Sequence, residues 1–189
     1  MHRCNGENMK INIKAIKKLM KLAYTSSTGL AVEGDNGGIA ISGARWYVWI
    51  NRENISFDML ALVVEYVGKI PEENEAMTVY KDQETQLRFL HSIELEKVKT
   101  ADFRPENSIE FTNVFLEADN GKRYNAIKHD TGVKFVSEMY IDLAILENAD
   151  EHIVMMDDCI ACTDGIAYMA ARTYEVQGPA AELLTQESW

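Results

Sequence analysis

Cys159 and Cys162 stand three residues apart, the spacing of a metal or redox pair, and His129 and His152 offer imidazole nitrogens as further ligands. A tetrahedral site needs four converging groups, and the third cysteine, Cys4, lies far away in the N-terminal segment. In a strand, residues three apart point to opposite faces, which separates the two thiols. Buried structural cysteines are therefore expected, with no metal. Asp157, Asp158 and Asp164 carry carboxylates suited to a divalent cation, but each stands beside a turn, where Asp bonds local backbone. Gly34–Gly38 lies between two strand-like runs and opens no helix, so it lacks the context of a phosphate loop. There is no HExxH helix or Ser/His/Asp order, and no carboxylate pair stands out for acid–base work. These residues point to a non-enzymatic protein without a cofactor.

Lysines give a stronger pattern. Lys14, Lys17, Lys18 and Lys21 fall at i, i+3, i+4 and i+7, while Ile16, Leu19, Met20 and Ala23 repeat the same spacing on another face. One reading is the solvated side of an amphipathic helix. The other is a row of mobile point charges for phosphates, which neutralise backbone charge without reading bases. Arg45 and Arg52 are further candidate DNA contacts. The 189-residue chain is net −11, yet residues 1–105 carry 14 basic and 14 acidic side chains and residues 106–189 carry 5 and 16. An acidic half excludes a general nucleic-acid coat, so any contact with DNA must be local.

The elements that would hold these residues read as α+β. A run at Met9–Ile13 precedes a helix over Asn12–Tyr24, then strands Leu30–Glu33, Ile39–Ser42 and Trp46–Asn51 follow, joined by Gly-rich turns. A second block has a helix over Met59–Lys69, then strands at Met77–Lys81, Gln86–His91 and Glu94–Val98. Asn120-Gly121 closes a hairpin between 109–117 and 122–128. A third block has a strand at Val133–Val136, a helix over Ser137–Asn148, and strands His152–Met156, Cys159–Thr163 and Ala167–Tyr174. The order β-α-β-β-β thus occurs three times, which predicts edge-to-edge units sharing one curved sheet with all helices on one face. Ring closure would remove the open edges. The expected organisation is a disordered leader over 1–8, a two-unit domain over 9–105, a shortened domain over 106–176 and a tail over 177–189. Trp46 and Val48 share one face of their strand, Tyr47 and Trp49 the other. One pair is core, and the other is either core or a subunit contact. The soft, aromatic last strand supplies Met169, Arg172 and Tyr174 as candidate partner-binding residues.

Six-residue apolar runs at Met59–Val64 and Ile166–Ala171 are too short to span a bilayer, and no secretory signal follows Met1. With three cysteines, a cytoplasmic protein that makes no membrane contact is expected.

This repeat resembles the DNA sliding clamps, the bacterial β-type most of all. Met9–Ile13, Gly29–Glu33 and Ile39–Ser42 are similar to that family's opening. Ile70-Pro71, Leu87–Ser92 and Ala101-Asp102-Phe103-Arg104-Pro105 resemble the end of its first domain, and Val133–Leu146 with Tyr168–Arg172 its closing unit. The resemblance implies a homo-oligomeric ring around duplex DNA that tethers a polymerase or another replication protein, with helices lining the hole. It also implies a phage-like reduction, since the chain holds fewer domains than the bacterial clamps. Ala170 and Ala171 stand where the family has a proline. The alternative is a protein-binding module of the same fold that does not encircle DNA.

Overall fold

The computed structural model describes residues 12–89, 93–104, 107–129, 132–144, 153–163 and 165–175. Asn12 opens α1 (Ile13–Tyr24): its Oδ1 accepts the Ala15 N–H at 3.1 Å, satisfying a donor that the first helical turn leaves free. At Gly29, φ is +75° and a Cβ would stand 2.6 Å from the Tyr80 ring, so glycine alone lets the chain turn into the sheet. Strands β1 (Leu30–Asp35), β2 (Gly38–Ser42) and β3 (Trp46–Asn51) follow as an antiparallel meander. Helix α2 (Phe57–Val67) starts where Ser56 Oγ accepts the Met59 N–H at 3.2 Å, and stops at the left-handed Gly68. Strand β4 (Ala76–Val79) then returns to pair with β1.

The next segment departs from expectation. Residues 94–98 do not form a strand; Leu95–Lys99 is a short helix, α3. Glu and Lys favour helix, and a five-residue window cannot separate the two periods. Around Gln86 the chain makes one isolated bridge to Thr78 rather than a strand. Residues 90–91 of that expected strand lie outside the described residues, as do the expected leader and tail, Cys4, His152 and Asp164. After α3 come β5 (Glu110–Glu117), β6 (Arg123–His129), β7 (Gly132–Ser137), α4 (Glu138–Ala144), β8 (Val154–Met156), β9 (Cys159–Thr163) and β10 (Ala167–Arg172).

Seven strands form one antiparallel sheet in the order β4-β1-β2-β3-β10-β9-β8, so strands from either side of residue 105 share it. Its register discloses a duplication. The Gly38↔Asn51 pair recurs as Cys159↔Arg172, and Asp35↔Gly38 as Met156↔Cys159, every position displaced by 121 (from 38 to 159, from 51 to 172). The same displacement carries Val48 onto Met169, which face each other where β3 meets β10. That junction is a local pseudo-twofold axis. Buried Ala15, Ile16, Leu19 and Met20 of α1 likewise map onto buried Val136 and Ser137 at the end of β7 and Tyr140 and Ile141 of α4. The repeat is therefore twofold among the described residues. The second expected block supplies α2, β4 and α3 instead of a third copy.

Helices α1, α2 and α4 cover one side of the sheet, where Ile16, Leu19, Met59, Val63 and Tyr140 meet Val32, Ile41, Val48, Ile160 and Met169. Each fully buried aliphatic side chain there is worth about 1.5–3 kcal/mol. The opposite side is also covered. Tyr47, Trp49, Ala161 and Ala170 lie against Val98 of α3 and against Ile93, Phe89 and Phe103. Helices thus occupy both faces, because the central strands are apolar on both sides and must be buried twice. A three-stranded sheet, β5-β6-β7, is stitched to the larger one at two points. The Ile109 N–H donates to Ile153 O at 2.8 Å, and Phe135 and Tyr174 exchange backbone bonds of 2.9 and 2.7 Å. No helix among the described residues is long and apolar enough to cross a membrane.

Candidate nucleic-acid interface

Burying Ile16, Leu19, Met20 and Ala23 fixes the rotation of α1, and the lysine row faces outward as a consequence. Lys14, Lys17, Lys18 and Lys21 are all exposed. Lys17 lies 3.5 Å from Glu65 of α2, a pair more than half exposed on both sides. Such a pair is worth little in water and exchanges readily for a phosphate. The row keeps its net positive charge.

The fold adds two cations that no sequence pattern marks. At the β5–β6 turn the Gly121 N–H donates to Ala118 O and the Ala118 N–H to Lys122 O, both at 2.8 Å, with φ of +74° at Gly121. This turn sets Lys122 and Arg123 beside α1. Together with Lys18, Leu22, Ser137, Glu138 and Met139 they line a groove of about 390 Å³. The Arg123 guanidinium lies 4.1 Å from the centre of the Phe115 ring and 3.7 Å from the Glu138 carboxylate. The Asn-Gly signal locates the hairpin, but no local pattern states that its first cations land beside a helix a hundred residues earlier.

The other two candidate cations have partners of their own. Arg52 is half-buried and donates through Nη2 to Pro71 O at 2.7 Å, tying the turn before α2 to the segment that follows it. Its guanidinium thus has a bracing role of its own beside the expected DNA contact. Arg45 lies 4.6 Å over the Tyr174 ring, and Tyr174 meets Tyr124 edge-on at 5.1 Å. Burial raises the Tyr174 phenol above its ordinary range.

The candidate partner-binding residues do not converge. Met169 is 2% exposed and lies under the helices, because its place in β10 alternates onto the core face. Arg172 is held by the Asp158 carboxylate, and Tyr174 belongs to the Arg45–Tyr124 stack. In this fold the three therefore share no single exposed surface. Tyr47 and Trp49 are buried beneath α3 and its flanks and Trp46 and Val48 beneath the helices, so both faces of β3 are core.

Cys159 and Cys162 fall in the two opposite cores, so they cannot both ligate one ion. Burial, reinforced by neighbouring Asp158, pushes the Cys159 thiol up to about 12. Asp157 sits at a left-handed turn position with φ of +51°, as Asn36 does at the duplicate position with φ of +52°. No cluster of three metal-ligating side chains occurs among the described residues.

No protein-family description and no curated protein matches the chain. Among solved structures it is similar to the DNA polymerase III beta subunit of Thermotoga maritima, at 10% identity and a TM-score of 0.34, over 94% of this chain and 67% of that one. It is also similar to the DNA polymerase III beta sliding clamp of Bartonella birtlesii, at 8% identity and a TM-score of 0.26, over 94% of this chain and 66% of that one. Likeness at this distance carries no functional weight, and what the chain does is decided by its own residues.

Proposed function

We propose that this chain is a clamp-like, non-enzymatic protein of DNA replication that holds duplex DNA through its phosphate backbone and tethers a polymerase or another replication protein. The observation that carries the reading is the fixed outward row of Lys14, Lys17, Lys18 and Lys21 on a helix anchored to a duplicated sheet. Four flexible ammonium groups without base-reading partners give contacts that slide. The ring would be a homo-oligomer, and the tethered partner would gain effective concentration on the DNA rather than a tighter contact.

Two experiments test this. Replacing the four lysines by Ala should flatten the dependence of log K on log salt by about 0.9 for each phosphate no longer neutralised, up to about 3.6. An unchanged slope removes α1 from the interface. Retention on closed circular DNA with loss from linear ends would support a topological ring, whereas equal retention on both rules it out.

A second reading is favoured by one feature. The displacement of 121 places Glu138 and Asp142 where α1 has Lys17 and Lys21, so the second half of the helical side is acidic in sequence. A hole lined by both halves would partly repel DNA. The alternative is a protein-binding module that does not encircle DNA. Light scattering separates the two: a dimer or trimer supports the ring, a monomer the module.

A further inference from the structure

The groove between α1 and the β5–β6 hairpin is lined by a buried polar side chain without a hydrogen-bond partner among the described residues. Ser137 is 6% exposed, lines the groove, and its hydroxyl has no hydrogen-bond partner among the described residues. Buried polar groups are nearly always satisfied, so a buried hydroxyl on a residue that borders an open groove calls for a partner, which a ligand atom in the groove would supply. Around it stand Lys18, Lys122 and Arg123, opposed by the single carboxylate of Glu138. Arg123 is already oriented, with its guanidinium over the Phe115 ring and its edge 3.7 Å from Glu138. A planar fork fixed in this way suits two oxygens of one anion, while Lys18 and Lys122 add point charges. The space, about 390 Å³, takes a phosphate group together with its water.

We infer that this groove is a phosphate-binding site, in which Arg123 and Ser137 hydrogen-bond the phosphate oxygens, Lys18 and Lys122 balance its charge, and Glu138 holds Arg123 in place until the anion arrives. The groove shares Lys18 with the outer lysine row, while Lys122, Arg123, Ser137 and Glu138 belong to the groove alone, so its test does not require that the row touch DNA. Its phosphate comes either from a nucleic-acid backbone or from a free phosphorylated molecule.

The probe is inorganic pyrophosphate, titrated into the full chain while backbone amide shifts are recorded, with chloride at matched ionic strength as the control. Saturable shifts at Lys122, Arg123, Ser137 and Glu138 are expected, absent with chloride. Lys122→Ala and Arg123→Gln should each weaken the binding about tenfold, as loss of a charge-assisted bond does. Ser137→Ala should weaken it less, and Glu138→Gln should tighten it. Thermal melts check folding, and the exposed Lys122 and Glu138 variants keep the test meaningful should Ser137→Ala unfold. Shifts absent at saturation, or unchanged in Lys122→Ala and Arg123→Gln, overturn the site. A labelled duplex identifies the source. Displacement of DNA by pyrophosphate assigns the groove to backbone phosphates, and binding of both without displacement assigns it to a free molecule. If pyrophosphate binds and DNA does not, the groove stands and the DNA reading of α1 falls.

Discussion

Trp49 shows how one side chain ties several elements together. Its indole N–H donates to Asp35 O at 2.8 Å, its ring takes the Lys99 ammonium at 4.3 Å, and Tyr168 of the other repeat lies 5.8 Å away. Trp49→Phe keeps most of the apolar area but strands the carbonyl and weakens the cation–ring attraction, so a loss of about 1–3 kcal/mol is expected in urea unfolding. A loss below about 0.5 kcal/mol would show that the indole N–H contributes nothing. Cys159 yields a prediction in pH. Its thiol rises from 9.0 to about 12 in the fold, chiefly through burial. Between those values the native state binds the proton that the unfolded chain releases, so stability is retained below about pH 9 and falls as pH climbs towards 12. Tyr140, raised mainly by burial, works in the same direction at higher pH. Urea midpoints at pH 8, 9 and 10 should decline, and decline less steeply in Cys159→Ala. A midpoint rising with pH would contradict this.

At the scale of elements, the caps and edges decide how much of the fold a sequence can announce. Asn12→Ala removes the bond to the Ala15 N–H and should cost about 1 kcal/mol in thermal or urea unfolding, with loss of helix signal. The helix itself is legible because its apolar and basic rows obey one period, and β1 to β3 are legible from glycine-rich turns between β-branched and aromatic runs. Residues 94–98 read as a strand, yet Leu95–Lys99 folds as a helix, whose Val98 is buried against the reverse face of the sheet, a long-range packing that no local spacing encodes. Both cores claim β3, so Trp46 and Tyr47 are equally buried although they point opposite ways. The lysine row is readable in full, whereas Lys122, Arg123 and Ser137 become neighbours of Lys18 only through tertiary packing. Edges follow the same logic. Thr78 and Gln86 exchange backbone bonds of 2.7 and 2.9 Å along β4, and Ile109 bonds Ile153 ahead of β8, so the chain covers parts of both outer edges of its large sheet. Strand β5 pairs only with β6 among the described strands. An assembly joined edge to edge would therefore use β5 more readily than β4 or β8.

For the whole molecule, the duplication predicts how the protein comes apart. A single core runs from Ile16 and Leu19 through Val48 and Met59 to Tyr140, Ile160 and Met169, crossing the pseudo-twofold junction between β3 and β10. Neither repeat can expose its side of that junction without opening an edge and uncovering apolar surface in the other. The two halves should consequently unfold in one cooperative transition. Met169→Ala tests this at the axis itself: the side chain is 2% exposed and its removal should cost about 2–5 kcal/mol. In a Trp189→Phe background, where fluorescence reports only on Trp46 and Trp49 of the first repeat, the variant should shift the tryptophan transition together with the far-ultraviolet transition of the whole chain. Coincident midpoints, displaced equally, follow from a shared core. A tryptophan transition left in place while the far-ultraviolet signal moves would mean that residues before and after 105 fold as separate bodies, and that the β3–β10 pairing joins units that are each already stable.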